Sequence, residues 1–432
     1  MTFKTNIQIN VIAFLTVVVV AIAIIFFRFP SIPHNLSFDE VEFAKLALSL
    51  EGKQYTPYSE LATGHSTLYF YIILASLKTF GLKSFALRFP SGLFGVLNAG
   101  LIFLLMKQAF FDQKKTIFKK THIHSWLIPF ILSILFVSLR WNFNFARFSF
   151  EATFLLFLEL ISILTFFTYK KNGSLFLLSI SGIFAGLAFN SYTPGRLFFL
   201  LILFFLIVYI LKKKILKTQI ILIIVSYIIP FIIISLPLSL YFRSNPDIRL
   251  SQLSYINNQY LRGSEKLVLF GENVLKTSEM FFIKGDLNGR HNYPGKPALN
   301  SFIGLLFISG LILSTKNWRN NTNALFLTYF VLSLIPSLLT YPSENPHMLR
   351  TFTVLPAVVY FIGNTIFLIL RTWTSKKILL LLFLLLVLSS TYELRTYFIY
   401  QTKVFPEAFE MKPDLKTNLN KQTETNLDYR HE

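Results

Sequence analysis

The chain has 432 residues, 53% hydrophobic and 17% aromatic, with 14% charged and a formal charge of +20 at pH 7. With a mean hydropathy of +0.56, it carries more apolar surface than a soluble domain can hide, and it reads as an all-α polytopic membrane protein. Its basic residues sit in short clusters between apolar runs, which is an orientation signal and not a nucleic-acid footprint, and without cysteine there is no disulfide or thiolate site.

The first apolar run, Ile9 to Phe27, is long for a signal peptide and reads as an uncleaved anchor. Spans need roughly 17–25 apolar residues, and about eleven segments qualify or come close. They are 9–27, 88–108, 126–142, 151–169, 175–190, 197–211, 219–241, 299–315, 323–340, 351–370 and 378–392. Alternate connections carry Lys107/Lys114/Lys115/Lys119/Lys120, Lys170/Lys171, Lys212/Lys213/Lys214/Lys217, Lys316/Arg319 and Arg371/Lys376/Lys377, with Asp112 as their one acidic companion. The positive-inside rule makes these cytoplasmic, with the N-terminus inside and the C-terminal tail outside. Leu68 to Phe80 is too short to span and reads as a juxtamembrane helix in the outer interface. The expected layout is a transmembrane domain over 1–392, with large outer loops at 28–87 and 242–298, and a polar tail over 393–432 that is weakly folded after Phe409.

Chemistry is expected first at Ser37-Phe38-Asp39-Glu40-Val41-Glu42. Ser37-x-x-Glu40 is a capping box, which engages Glu40 and leaves Asp39 to face outward, with Glu42 three residues on and on the same helical face. A carboxylate there can act as a general base or help hold a divalent cation, although first turns favour acidic residues in any case. Each short outer connection carries one arginine at the membrane edge: Arg147, Arg196 and Arg350. Guanidinium forks suit phosphate, and a phosphate at the lipid boundary is a lipid phosphate; the plain alternative for each is anchoring at a helix end. Glu151 is four residues from Arg147, so an ion pair is expected, whereas Glu159 lies deeper in the span and sustains a transporter reading. His65, His291 and His347 fall on the outer side without tight ligand spacing, so metal identity stays unknown and a divalent cation stays open. No nucleotide-binding or hydrolase motif is present.

Several stretches together resemble the polytopic GT-C glycosyltransferases, in the protein O-mannosyltransferase and aminoarabinose-transferase-like branch. They are Phe38-Asp39-Glu40, Gly64-His65-Ser66-Thr67-Leu68-Tyr69-Phe70-Tyr71 and Leu87-Arg88-Phe89-Pro90-Ser91-Gly92-Leu93-Phe94-Gly95. Ala146-Arg147-Phe148, Tyr192-Thr193-Pro194-Gly195-Arg196, Gly285-Asp286-x-Asn288-x-Arg290-His291-Asn292 and Pro346-His347-x-Leu349-Arg350 follow in order. The resemblance implies inverting transfer of a sugar from a polyprenyl-phosphate carrier to a protein, glycan or glycolipid acceptor at the outer face of the cell membrane. It places the acidic pair Asp39 and Glu40 at the catalytic position, with Asp39 as the acting group. Arg147, Arg196, Arg350 and His65 are then candidates for the carrier phosphate, and Glu42, Tyr192, Asp286, Arg290, His291 and His347 are further site candidates. Two departures stand out: His65-Ser66 replaces the Lys-Pro of several relatives, and Glu42 replaces the arginine of aminoarabinose transferases. The rival readings are a flippase of lipid-linked sugars using Glu159 and a non-catalytic envelope subunit.

Overall fold

The computed structural model describes residues 3–110, 126–213, 216–373 and 375–420. Lys114, Lys115, Lys119, Lys120 and Asp112 of the first basic connection, Lys214 of a later one, and the last residues of the tail lie outside the described residues.

The fold is helical because a chain in lipid must satisfy its backbone internally. Helix α1 is Phe3–Phe26, α2 is Phe38–Ser49, α3 is Leu68–Phe80 and α4 is Ser84–Ala109. Next come α5 (Leu127–Ser138), α6 (Arg140–Phe145), α7 (Ala152–Asn172) and α8 (Leu175–Phe189). They are followed by α9 (Phe199–Lys213), α10 (Lys217–Ser244), α11 (Ile248–Leu253) and α12 (Gly263–Phe282). The chain continues as α13 (Ser301–Lys316), α14 (Asn321–Leu338), α15 (Leu355–Thr372), α16 (Lys376–Arg395) and α17 (Phe405–Ala408). One small antiparallel ribbon, β1 (Tyr58–Ser59) with β2 (His65–Ser66), lies in the first large loop.

Among the described residues, eight helices are long and apolar enough to cross a membrane. The other three expected spans correspond to α5, α8 and α13, of 12, 15 and 16 residues. Packing centres on α4, α7 and α15, whose apolar windows are the most enclosed, whereas α1, α10 and α16 are largely open. Small residues let backbones meet: a Cβ at Gly182 would overlap the Tyr227 carbonyl, and one at Gly310 the Phe361 carbonyl.

Helix α3 runs back along the first turns of α4. Its Tyr69 hydroxyl meets Ser91 Oγ at 2.6 Å, and its Ser76 Oγ donates to the Ala86 carbonyl at 2.5 Å. It therefore begins and ends near the same end of the bundle, as a juxtamembrane helix does. At the other end, Gln108 donates to Thr168 (2.9 Å) and Lys212 to Asn321 (2.7 Å), which gathers the basic connections together.

The tail differs from expectation. Residues 405–420 pack back on the molecule because Phe409 and Leu415 are fully buried, and Met411 forms an antiparallel bridge with Leu36. Three apolar side chains within a polar sequence are enough to dock it.

Candidate active site

The loops opposite the basic end converge on one polar region. At its edge, Ser37 and Glu40 form the expected capping box of α2: Ser37 N–H donates to Glu40 Oε2 (3.0 Å), and Glu40 N–H to Ser37 Oγ (3.2 Å). Glu40 also accepts from Arg88 Nε (2.7 Å), Arg88 Nη2 (2.8 Å) and Ser149 N–H (3.0 Å), and it is completely buried. Its expected share in the catalytic position is set aside: both oxygens are already filled, and no face is left for a substrate. Asp39, one residue earlier, is 44% exposed and accepts from Arg290 Nη1 at 2.5 Å. Glu42 pairs with Lys45 on the same helix at 2.8 Å.

Arg147 is likewise set aside as a phosphate ligand. Its five N–H groups go to the carbonyls of Ile24, Ile25, Phe27 and Ile32 and to the Tyr397 hydroxyl, with no exposure. The side chain turns towards the end of α1, so the expected pair with Glu151 does not form. Glu151 points the other way, to His65 Nδ1 at 2.5 Å. Glu159, without a partner in the sequence reading, accepts from the Tyr329 hydroxyl at 2.5 Å, from a helix 170 residues away.

Arg196 and Arg350 line a cavity of about 280 Å³, together with Tyr192 and a third arginine, Arg249 at the start of α11. Leu197, Leu250, Leu253, Ile335 and Leu339 supply an apolar wall. Arg196 pairs with Asp247 and lies 4.6 Å from the Phe242 ring centre. Arg350 pairs with Glu344 at 3.0 Å. Burial works against ionising Asp247, but the Arg196 guanidinium outweighs it and holds the carboxyl below its ordinary value. Arg249 is met by an imidazole instead of a carboxylate: its Nη1 bonds His65 Nε2, and it lies 5.8 Å from the Tyr192 ring centre. A guanidinium only donates, so His65 Nε2 accepts and its Nδ1–H is directed to Glu151. Burial pushes His65 down from its ordinary value, and Arg249 adds to this against the pull of Glu151 and Asp39. The ring is a neutral spacer that aims Arg249. Sequence reasoning missed Arg249; the available signal was its place in the first turn of a helix capped by Asp247, beside Ile248 and Leu250.

Asp286, His291 and His347, separate site candidates without ligand spacing in the sequence, come together, with their nearest candidate ligand atoms all within 4.8 Å of one another. Two imidazoles and a carboxylate are zinc-type donors. Here, however, Asp286 already accepts from Asn288 N–H (2.8 Å), Met348 N–H (2.8 Å) and His291 Nδ1 (2.9 Å), and His347 Nδ1 accepts from Arg350 N–H (3.2 Å). Burial, then Arg350, His291 and Arg249, push His347 well below its ordinary value. That cationic surrounding suits a brace between two loops better than a dication. The brace steadies Arg290 and Arg350, which flank it.

Comparisons with known proteins agree with this architecture. Residues 64–234 match the sequence profile of the dolichyl-phosphate-mannose-protein mannosyltransferases. Among curated proteins no match was found. The fold is similar to that of ArnT from Cupriavidus metallidurans bound to undecaprenyl phosphate, with a TM-score of 0.52 at 12% identity over 94% of this chain and 77% of that one. It is equally similar to the archaeal oligosaccharyltransferase AglB from Archaeoglobus fulgidus in complex with an inhibitory peptide and a dolichol-phosphate, with a TM-score of 0.52 at 12% identity. That match covers 94% of this chain and 56% of AglB. The chain is thus a polytopic membrane protein of the GT-C glycosyltransferase fold, similar over residues 64–234 to the dolichyl-phosphate-mannose-protein mannosyltransferases.

Proposed function

We propose that the protein transfers a sugar from a polyprenyl-phosphate carrier to an acceptor on the extracytoplasmic side of the cell membrane. The observation that carries this reading is the cavity itself, in which three arginines face an apolar wall of leucine and isoleucine. That pairing matches a phosphate on a lipid, with the wall for the isoprenoid and the guanidinium forks for its oxygens. The matched family and the two solved relatives, which hold undecaprenyl phosphate and dolichol-phosphate, support the same donor class. The basic connections at the opposite end support an extracytoplasmic site.

In the proposed reaction, an acceptor hydroxyl attacks the sugar carbon bound to phosphate while Asp39 takes its proton. The bond to the phosphate oxygen breaks, and Arg249, Arg196 and Arg350 stabilise the charge that develops there. Arg290 fixes the orientation of Asp39. Asp39 acts electrostatically on His65, and His65 bonds Arg249, so the base and the cavity belong to one network. The acceptor class, whether protein, glycan or glycolipid, is left to the loops around Asp39. Asp39→Asn should reduce transfer from a synthetic polyprenyl-phosphate sugar by about two orders of magnitude or more, the usual weight of a general base. Wild-type turnover in that variant would overturn the mechanism. A second reading, a flippase of lipid-linked sugars, turns on Glu159 and is tested separately below.

A further inference from the structure

We infer that the C-terminal segment 401–411 is a positioning strap for the Asp39–Arg290 pair, with Glu410 and Gln401 as its positioning residues; the inference rests on the role of Asp39 proposed above. Asp39, in the first turn of α2, and Arg290 are 251 residues apart, and with 44% and 23% of their side chains exposed neither is fixed by full burial. The residue immediately before each of them is held by the tail. Glu410 Oε1 accepts the N–H of Phe38 at 3.0 Å. This N–H opens α2 and has no partner within the helix, and a carboxylate at that end also meets the helix dipole favourably. On the other side, Gln401 Nε2 donates to the Gly289 carbonyl at 3.2 Å, and a Cβ at Gly289 would press on Val404 and Ala408 at 2.9 Å. Gln401 also reaches Asn144 Oδ1 (3.3 Å), whose Nδ2 holds the Arg290 carbonyl at 2.8 Å.

The strap is itself well seated. Leu36 and Met411 exchange backbone hydrogen bonds at 3.2 and 2.9 Å. Phe409 is fully buried, 5.6 Å below the Arg88 guanidinium that holds Glu40. One short segment therefore grips Phe38 and Gly289 together, and the spacing of Asp39 and Arg290 follows from that grip.

The test uses the full-length protein in detergent with a synthetic polyprenyl-phosphate sugar. Glu410→Ala should lower kcat on the order of ten- to a hundredfold, as small misplacements at a reacting centre do, and leave the donor KM within about twofold. Glu410→Gln keeps an acceptor oxygen for Phe38 N–H and should stay near wild type. Because the chain has no cysteine, the pair Leu36→Cys and Met411→Cys gives a clean cross-link, and oxidation should restore turnover to Glu410→Ala. Wild-type kcat in Glu410→Ala, with Asp39→Asn inactive, refutes the strap and leaves the proposed function standing. Equal losses in Glu410→Ala and Glu410→Gln, with donor affinity falling too and no recovery on cross-linking, also refute it by exposing a merely structural role. Full turnover in Asp39→Asn overturns both.

Discussion

Removing the Arg249 guanidinium is the sharpest test of the cavity. Of its three arginines, Arg196 is offset by Asp247 and Arg350 by Glu344, whereas Arg249 faces the neutral ring of His65. A hydrogen bond to a charged partner is worth about 1.5–3 kcal/mol, which makes Arg249→Gln a loss of roughly ten- to a hundredfold in affinity for polyprenyl phosphate. Arg249→Lys should recover little, because a point charge cannot bond His65 and a phosphate edge together. Asp247→Asn keeps the cap on Leu250 N–H but frees Arg196, so it should strengthen binding. The assay is calorimetric titration of the detergent-solubilised protein with undecaprenyl phosphate, alongside thermal unfolding to show that each variant is folded. Wild-type affinity in a folded Arg249→Gln protein would refute the assignment of the cavity to a lipid phosphate.

Two other outcomes are expected. His65 and His347 are held neutral in the fold, with burial as the first cause, so unfolding lets them bind protons below their ordinary value of 6.5. Their contribution is complete above about pH 6.5 and declines as pH falls below it, with Asp247 adding a loss only below about pH 4; the melting temperature should therefore drop between pH 7.5 and pH 5, and less so in His347→Gln, whereas a flat profile would contradict the buried, neutral assignment. Glu159→Gln should leave sugar transfer intact, since Gln still accepts the Tyr329 hydroxyl; loss of lipid-linked sugar translocation in reconstituted vesicles, with Asp39→Asn harmless, would favour the flippase reading instead.

Local chemistry was legible in the sequence, and direction was not. The Ser37–Glu40 box could be read from spacing because a helix start is decided within four residues. Arg290, His291, Arg350 and His347 could be named as candidates from their motifs, but that Asp286, His291 and His347 meet could not be read, because His347 stands in a separate loop. The orientation of Arg147 could not be read, because whether an arginine serves a ligand or a helix end depends on what lies beside it, and here that is a run of carbonyls over a hundred residues upstream. Arg249 was hidden for a related reason: its importance comes from His65, which reaches it from a distant loop and is itself held by Glu151. Tail packing was missed because Phe409, Met411 and Leu415 are too sparse to show a period, although each finds a prepared place.

The bond between Phe38 and Glu410 joins residues 372 positions apart, and the bridge from Leu36 to Met411 is slightly longer in sequence. Translation is directional, so the mouth of the first loop closes only after residues 410 and 411 have been made. Spans can insert one after another, and Arg147 can fasten the end of α1 early, but the pocket edge stays unfinished until residues 401–411 emerge. A chain cut short before residue 410 would therefore keep its helices while the Asp39–Arg290 edge stays unassembled.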